Sequence, residues 1–216
     1  MVKNEIIVIG KISSCEISHT YEYRQQGRMR SIVYYLVFID VQRDSGVNDS
    51  VPVLIQDYRL KKVNHEIGDF LAISGTIGSR HLKGIDGKTH LVPYCHASIV
   101  EQGDTDEYDN IVTLTGTLYK DPLFRTVPSG RKVTNLFLKV KQPNSSKKGP
   151  SSIPCIAWGP NAIYADNTYR TGDTITINGR FQSRAYKKRG KEDALIYGTA
   201  YEISITDFEE GSGSDE

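Results

Sequence analysis

The chain has 216 residues, and its 27 Lys and Arg residues nearly balance 26 Asp and Glu residues, which gives a formal net charge of +1. A chain of this length holds either one large domain or two domains of about 100 residues each. Its 19 glycines are scattered between short stretches rich in Val, Ile and Thr, which favours a mainly β protein and argues against a helical bundle.

Two segments of the chain repeat the same landmarks in the same order. Residues 68–75 and 172–179 both read G-D-x-h-x-h-x-G, where h is apolar, and each is followed by Ser-Arg at the same distance. The apolar stretch 51–55 stands in the first half where 153–157 stands in the second. Several matches in register indicate a duplicated domain. We therefore predict a first unit at residues 1–100, an acidic linker at 101–109, a second unit at 110–208 and an acidic Gly/Ser tail at 209–216.

The second unit is predicted to contain five strands and one short helix. The strands are residues 110–118, 133–141, 152–158, 174–187 and 194–205, the helix is 161–170, and loops occupy 119–131 and 143–151. Five strands with a helix between the third and the fourth follow the order of the OB fold. The sequence therefore predicts a mainly β protein of two tandem OB-fold five-stranded barrels, each with a short helix. Gly179 is expected where the long fourth strand bends to close its barrel.

Charge is distributed unevenly along the chain. Residues 1–109 carry 12 Lys and Arg against 15 Asp and Glu, a net charge of −3, whereas residues 110–206 carry 15 against 6, a net charge of +9. The last ten residues contribute −5. Because phosphate binding depends on local charge, the basic second unit is compatible with a nucleic-acid partner despite the near-neutral total.

Several classes of protein are disfavoured by the absence of their motifs. Cys15, Cys95 and Cys155 are far apart and outside any CxxC spacing, so neither a disulfide framework nor a zinc site is expected. No P-loop, GxSxG, GxGxxG or HExxH motif occurs, so we expect no enzymatic activity, no metal and no cofactor. With no apolar stretch of about 18 residues and no apolar signal core at the start, a soluble cytoplasmic protein is expected, without a membrane partner.

The second unit resembles the bacterial and phage single-stranded DNA-binding proteins. The resemblance is carried by residues 110–116, Asp121-Pro122 with Arg125 and Pro128-Ser129-Gly130, residues 133–138, residues 155–159 and residues 172–186. It implies a protein that binds single-stranded DNA without strong sequence preference, and that coats and protects it in replication, recombination, repair or DNA transfer. Members of the family assemble four barrels into one binding unit, so two barrels per chain imply a homodimer.

The first unit resembles the family more weakly. It has no counterpart of the Asp-Pro turn, and Gln56 falls where Trp158 falls in the repeat. An OB barrel that serves mainly assembly is therefore expected there. Its stretch from Tyr21 to Arg30 mixes aromatic and basic residues, and is interpreted as a surface hairpin in preference to an extension of the DNA path.

Binding single strands without reading sequence requires cations for the phosphates and exposed aromatic faces for the bases. Strand alternation predicts that the apolar residues at 136, 138, 140, 175 and 177 face the core, so that their neighbours face outward. The outward-facing set comprises Phe137, Lys139, Lys141, Thr176, Asn178, Arg180, Gln182, Arg184 and Tyr186. The predicted nucleic-acid-binding residues are Arg125, Arg131, Lys132, Phe137, Lys139, Lys141, Trp158, Arg180, Arg184, Tyr186, Lys187, Lys188 and Arg189, with Lys147-Lys148 on a flanking loop.

Each of these residues also has an ordinary structural interpretation. Phe137 is equally compatible with a contact between barrels or subunits, Trp158 with a core position, and Tyr186 with packing on its own strand. Charge runs usually form solvated loops. At the level of function, the alternative is a protein-interaction module of a primosome or recombination complex, with replication or recombination proteins as partners; an RNA-binding OB protein is disfavoured.

Overall fold

The computed structural model describes residues 2–84, 87–105, 107–142, 149–189 and 195–209, without the side chains of residues 188, 189 and 195–197. In chain order the elements are β1 (Asn4–Gln25), β2 (Arg28–Gln42), β3 (Asn48–Gln56), α1 (Asp57–Leu60), β4 (Phe70–Lys83), β5 (Thr89–Gln102), β6 (Asp109–Leu118), β7 (Leu123–Thr126), β8 (Lys132–Val140), β9 (Ser151–Trp158), α2 (Pro160–Thr168), β10 (Thr174–Arg189) and β11 (Leu195–Glu209). Neither helix in this part of the chain is long and apolar enough to cross a membrane.

The chain divides into two compact units that are not contiguous in sequence. The N-terminal unit comprises Ile6–Thr76 and Tyr94–Asn110, and the C-terminal unit comprises Met1–Glu5, Ile77–Pro93 and Ile111–Glu216. The repeat, in contrast, predicts contiguous units. The predicted linker also differs from the structure, since its first two residues complete β5 and its last residue begins β6.

Backbone and side-chain hydrogen bonds tie the first residues into the C-terminal unit. The Thr115 N–H donates to the Lys3 carbonyl at 2.8 Å. The buried Asn4 amide accepts from the Ile77 N–H at 2.8 Å and donates to the Ile77 carbonyl at 3.1 Å and to the Lys141 carbonyl at 3.2 Å. A buried amide whose donors and acceptor all have partners stabilises this arrangement. No pattern in the neighbouring sequence predicts these hydrogen bonds.

In the N-terminal unit the strands close a five-stranded circuit. β2 pairs with β1 and β3, β3 pairs in parallel with β5, and β5 continues through β4 to β1. The helix α1 lies between β3 and β4 in chain order. Inward side chains at alternate positions, such as Val37 and Ile39, are fully buried, as expected of a strand with one face on the core.

The C-terminal unit closes in the same order. β6 pairs with β10, β10 with β11, β11 in parallel with β9, and β9 with β8, which returns to β6 at Gly116↔Val140. Both units therefore have the strand order of the OB fold, as predicted. The apolar side chains of Leu136, Leu138 and Ile177 face the core and are fully buried.

The helix α2 packs against the strands of this barrel. Gly159, with φ 57°, leads into the helix, and Pro160 opens it, where the missing N–H of proline costs nothing. Ala162 and Ala165 are fully buried. The Thr134 hydroxyl on β8 donates to the Ala162 carbonyl at 2.7 Å, so a core-facing polar side chain is satisfied by the helix.

The repeated Gly-Asp dipeptide makes the same turn in both barrels. Gly68 and Gly172 have φ 98° and 99°, a backbone region that favours glycine. Each following aspartate accepts a hydrogen bond from the backbone N–H three residues earlier, at 2.9 Å for Asp69 and 2.7 Å for Asp173. The repeat found in the sequence is thus a repeated backbone geometry.

Two predicted loops need correction or lie outside the description. The stretch 119–131, predicted to be a loop, contains β7, which pairs with β8 from Leu123↔Asn135 to Thr126↔Lys132. A four-residue strand between two turn signals is too short to show alternation. Most of the predicted loop 143–151, with Lys147 and Lys148, lies outside the described residues.

Candidate nucleic-acid interface

The outer face of β8 and β9 carries the predicted aromatic residues. Cross-strand pairing sets Phe137 opposite Pro154 and Trp158 opposite Val133, and cross-strand partners share a face of a sheet. Phe137 and Lys139 are half-buried and Lys141 is exposed, while their neighbours in the strand face the core. The orientation predicted from alternation is therefore the observed one on β8.

Phe137 belongs to a group of two rings and two ammonium groups, which we call the Phe137 cluster: Tyr119, Lys120, Phe137 and Lys139. The two ring centroids lie 6.0 Å apart with an interplanar angle of 59°. Lys120 Nζ lies 5.2 Å from the Phe137 centroid and Lys139 Nζ lies 4.6 Å from the Tyr119 centroid. Both distances fall within cation–π range, so positive charge is held beside aromatic faces.

Backbone and side-chain hydrogen bonds hold this cluster in place. The Tyr119 N–H donates to the Phe137 carbonyl at 3.2 Å, which continues the strand pairing past the end of β6. Lys139 Nζ donates to Ser152 Oγ on β9 at 2.7 Å. The sequence prediction missed Tyr119 and Lys120 because both fall in a stretch interpreted as loop. The aromatic-basic dipeptide directly after a strand was the available signal.

Trp158 lies beside a third cation, farther along the same face. The Arg131 guanidinium lies 5.0 Å from the Trp158 ring centroid, and the Gly159 N–H donates to the Lys132 carbonyl at 2.9 Å. Trp158 is half-buried, and Arg131 and Lys132 are exposed. A partly exposed indole at the outer end of β9 is not an ordinary core residue.

The short strand β7 adds a further cation to this face. Register pairs Arg125 with Val133 and Leu123 with Asn135, so both side chains share the face of Phe137. Arg125 is exposed, and Leu123 keeps 55% of its surface accessible. Two predicted positions near Trp158 therefore make this face basic, Arg125 and Arg131. Lys132 pairs with Thr126 and lies on the other face of β8, so its predicted place beside Trp158 is not observed.

The predicted arginines of β10 take part in a polar network with β11. Gln182 and Glu202 are paired across the strands and are 5% and 7% exposed. Gln182 Nε2 donates to Glu202 Oε1 at 3.2 Å, Arg184 Nε lies 3.5 Å from the same oxygen, and Arg180 Nη2 donates to Gln182 Oε1 at 3.0 Å. Glu202 thus offsets part of the positive charge predicted for phosphate contact. Alternation predicted Gln182 to face outward, and it did not predict that this side chain is buried there.

Tyr186 lies against a glycine on the neighbouring strand. It pairs with Gly198, and a Cβ placed on Gly198 would come within 2.7 Å of the ring atom Cζ of Tyr186. The ring therefore packs directly on the glycine backbone. Lys187 is exposed beside it, whereas the side chains of Lys188 and Arg189 lie outside the description, although both residues continue β10.

The cysteines do not form a reactive or metal-binding group. Burial raises the pKa of the Cys95 thiol to about 12 and also raises the pKa of the Cys155 thiol, which keeps both in the unreactive protonated form. Among the described residues, no three His, Cys, Asp or Glu side chains converge as metal ligands would.

Comparisons of sequence match about half of the chain. Residues 109–208 match the family described as the single-strand binding protein family. The single-stranded DNA-binding protein of Fusobacterium nucleatum is 29% identical over 112 residues, which covers 50% of this chain and 73% of the relative. Those of Halalkalibacterium halodurans and Oceanobacillus iheyensis are 32% and 31% identical over 108 residues, and the match covers 63% and 66% of their lengths.

Structural similarity extends over nearly the whole chain. The crystal structure of the wild-type single-stranded DNA binding protein from Thermus aquaticus is similar with a TM-score of 0.67 over 96% of this chain and 92% of that one, at 18% sequence identity. At this identity the similarity shows the fold, here two tandem OB barrels. The similarity to the single-strand binding protein family thus lies in residues 109–208 of this chain.

Proposed function

We propose that this protein binds single-stranded DNA without strong sequence preference, and that it coats and protects the strand in replication, recombination, repair or DNA transfer. It acts without catalysis or a cofactor, in the cytoplasm. The observation that carries the proposal is the outer face of β8 and β9, where Phe137, Tyr119 and Trp158 each lie beside a cation.

The chemistry of this face suits a flexible, unpaired strand. Every base has a π-face that stacks on an aromatic ring, and each phosphate is attracted to a neighbouring cation, so neither contact depends on sequence. Duplex DNA hides its base faces in the stack. The same surface therefore favours single strands over duplex. Names and descriptions of the relatives, which are single-stranded DNA-binding proteins, support the same ligand.

The test uses Trp158, the single tryptophan of the chain, as an intrinsic probe. Titration with oligo-dT is expected to quench its fluorescence, and affinity should fall linearly with salt on a log–log plot, because released counterions accompany each phosphate contact. A duplex of the same length serves as the control and should bind much more weakly. No quenching together with no change in gel mobility at low salt would contradict the proposal.

A further inference from the structure

Three cross-strand pairs arrange the polar side chains on the outer face of β10 and β11. Past the register shift that precedes Gly179, the pairing is continuous and the pairs are Arg180↔Ser204, Gln182↔Glu202 and Arg184↔Ala200. Cross-strand partners share a face, and faces alternate along each strand. Two arginines therefore lie on one face, each opposite a small residue, and one carboxylate lies between them.

Hydrogen bonds join both arginines to this carboxylate. Arg184 Nε donates to Glu202 Oε1 at 3.5 Å. The Gln182 amide donates to the same oxygen at 3.2 Å and accepts from Arg180 Nη2 at 3.0 Å. Gln182 therefore links Arg180 to the carboxylate that Arg184 contacts directly. Because a hydrogen bond of 3.5 Å is weaker than one of ordinary length, another anion can compete with Glu202 for the Arg184 guanidinium.

The carboxylate is buried, whereas the arginine beside it is accessible. Glu202 is 7% exposed, and the side chain of Arg184 keeps 46% of its surface exposed. Salt and water screen a buried charge less than an exposed one. Glu202 therefore acts with little screening on an arginine that a phosphate can reach.

A purely structural role would not require the charge of Glu202. A glutamine of the same shape also offers a side-chain oxygen that accepts from the Gln182 amide and from Arg184 Nε. What the carboxylate adds is a negative charge beside a predicted phosphate contact. This charge attracts the guanidinium and repels the phosphate, so both effects oppose binding of the ligand.

We propose that Glu202 limits the affinity of this protein for single-stranded DNA, because it competes with the phosphate backbone for Arg184. The inference rests on the proposed function and assigns to one buried carboxylate a role in setting how readily the bound strand is released. Glu202 acts through Arg184, and through Gln182 on Arg180, without contacting the DNA itself.

The test is a charge-neutralising variant of the full-length chain. Glu202→Gln should bind oligo-dT about threefold to tenfold more tightly than wild type, with a log–log salt slope steeper by up to about 0.7, the contribution of one phosphate contact. Glu202→Asp keeps the charge and should bind more nearly as wild type does. Unchanged or weaker binding by Glu202→Gln, or an equal gain in Glu202→Asp, would overturn the inference.

A matched control separates this local effect from a change in total charge. Asp44→Asn removes one negative charge from the exposed turn between β2 and β3 of the N-terminal unit. It should bind within about twofold of wild type, since interactions between distant exposed charges are screened. A gain in Asp44→Asn as large as that in Glu202→Gln would overturn the inference.

A second measurement uses the unaltered protein, so that a folding defect in a variant cannot decide the result. In isotopically labelled protein, the Nε–H resonance of Arg184, assigned with Arg184→Lys, should shift when oligo-dT binds, because a phosphate replaces Glu202 as its partner. An unchanged resonance in the saturated complex would overturn the inference and leave the proposed function standing. Absence of any binding by the wild-type protein would instead contradict the proposed function itself.

Discussion

Aromatic rings on the outside of a barrel are unfavourable in water. On the outer face of β8 and β9 these rings lie beside cations. Phe137 and Tyr119 lie beside lysines, and Trp158 lies beside Arg131. An arginine on a ring both shields that ring and remains available for a phosphate when a base takes its place. The free protein thus holds its stacking surfaces in a partly covered state.

At the residue scale, the first prediction concerns the two main rings. Phe137→Ala and Trp158→Ala should each weaken oligo-dT binding by about 1–3 kcal/mol, because each removes one base-stacking platform. Anisotropy of a labelled oligonucleotide measures the effect. Phe137→Tyr, which keeps a ring, and Ile163→Ala, on the exposed side of α2, should bind as wild type does. If the loss in Ile163→Ala matched that in Phe137→Ala, the stacking assignment would be wrong.

Gly198 is expected to act through Tyr186. Because the ring rests on the glycine backbone, Gly198→Ala should displace it and weaken DNA binding to the level of Tyr186→Ala. The combined variant should be no weaker than Tyr186→Ala alone, since both changes remove one contact and residues in contact are not additive. Additive losses measured by anisotropy would show that Gly198 has a separate role.

At the scale of elements, turns and short connections set the positions of the long strands. The Gly-Asp turn comes before β4 and before β10. In both barrels the glycine N–H donates to a carbonyl of the first strand, to Ile12 within β1 and to Leu118 at the end of β6. These bonds fasten the fourth strand of each barrel to the first. The repeated Gly-Asp dipeptide of the sequence lies at this hydrogen bond in each barrel.

A second connection links the loop after β6 to the loop after α2. The Asp121 carboxylate accepts hydrogen bonds from the Thr171 N–H at 2.9 Å and the Thr171 hydroxyl at 2.7 Å. Both hydrogen bonds lower the pKa of Asp121 below its ordinary value, and the bond from the Thr171 hydroxyl has the larger effect. A carboxylate whose pKa is lowered by folding stabilises the folded state above its ordinary pKa, and that contribution is lost as the pH falls through the lowered value.

The corresponding prediction is a pH-dependent change in stability. Asp121→Asn should lower the free energy of unfolding at pH 7, and the difference from wild type should shrink as the pH falls below about 4, where the wild-type carboxylate begins to take up its proton. Urea denaturation at several pH values measures it. Thr171→Val, which keeps the backbone donor, should show a smaller difference of the same sign. A difference that is constant with pH would contradict the assigned bonds.

At the scale of the whole molecule, positive charge and the aromatic residues of the binding surface are distributed unevenly between the two halves of the sequence. The second half of the sequence is basic and carries the Phe137 cluster and Trp158, while the first half has a net charge of −3. Near-neutral total charge therefore conceals one strongly attractive surface.

The assembly prediction follows from the four-barrel unit that the family resemblance implies. Mass measurement in solution is expected to give twice the mass of the chain, because two chains supply four barrels. Titration of the same sample with an oligo-dT length series gives the number of strands bound per assembly. A mass equal to one chain at micromolar concentration would contradict the homodimer.

Much of the fold could be predicted because its determinants are local. Alternation placed Leu136, Leu138 and Ile177 in the core and Phe137 outside, since successive side chains of a strand point to opposite faces. The Gly-Asp repeat indicated two barrels because a tight turn requires particular residues in sequence. Family motifs in the second unit led to the same domain that the comparisons identify.

Only the tertiary structure decided which distant side chains meet. Tyr119 joins Phe137, and Glu202 joins Arg184, because strands far apart in sequence become neighbours in a closed barrel. Likewise the first five residues and the segment 77–93 belong to the C-terminal unit. Local patterns determined the elements and the faces on which their side chains lie. Pairing between distant strands determined which residues form the binding surface, because such pairing cannot be recognised from residues that are adjacent along the chain.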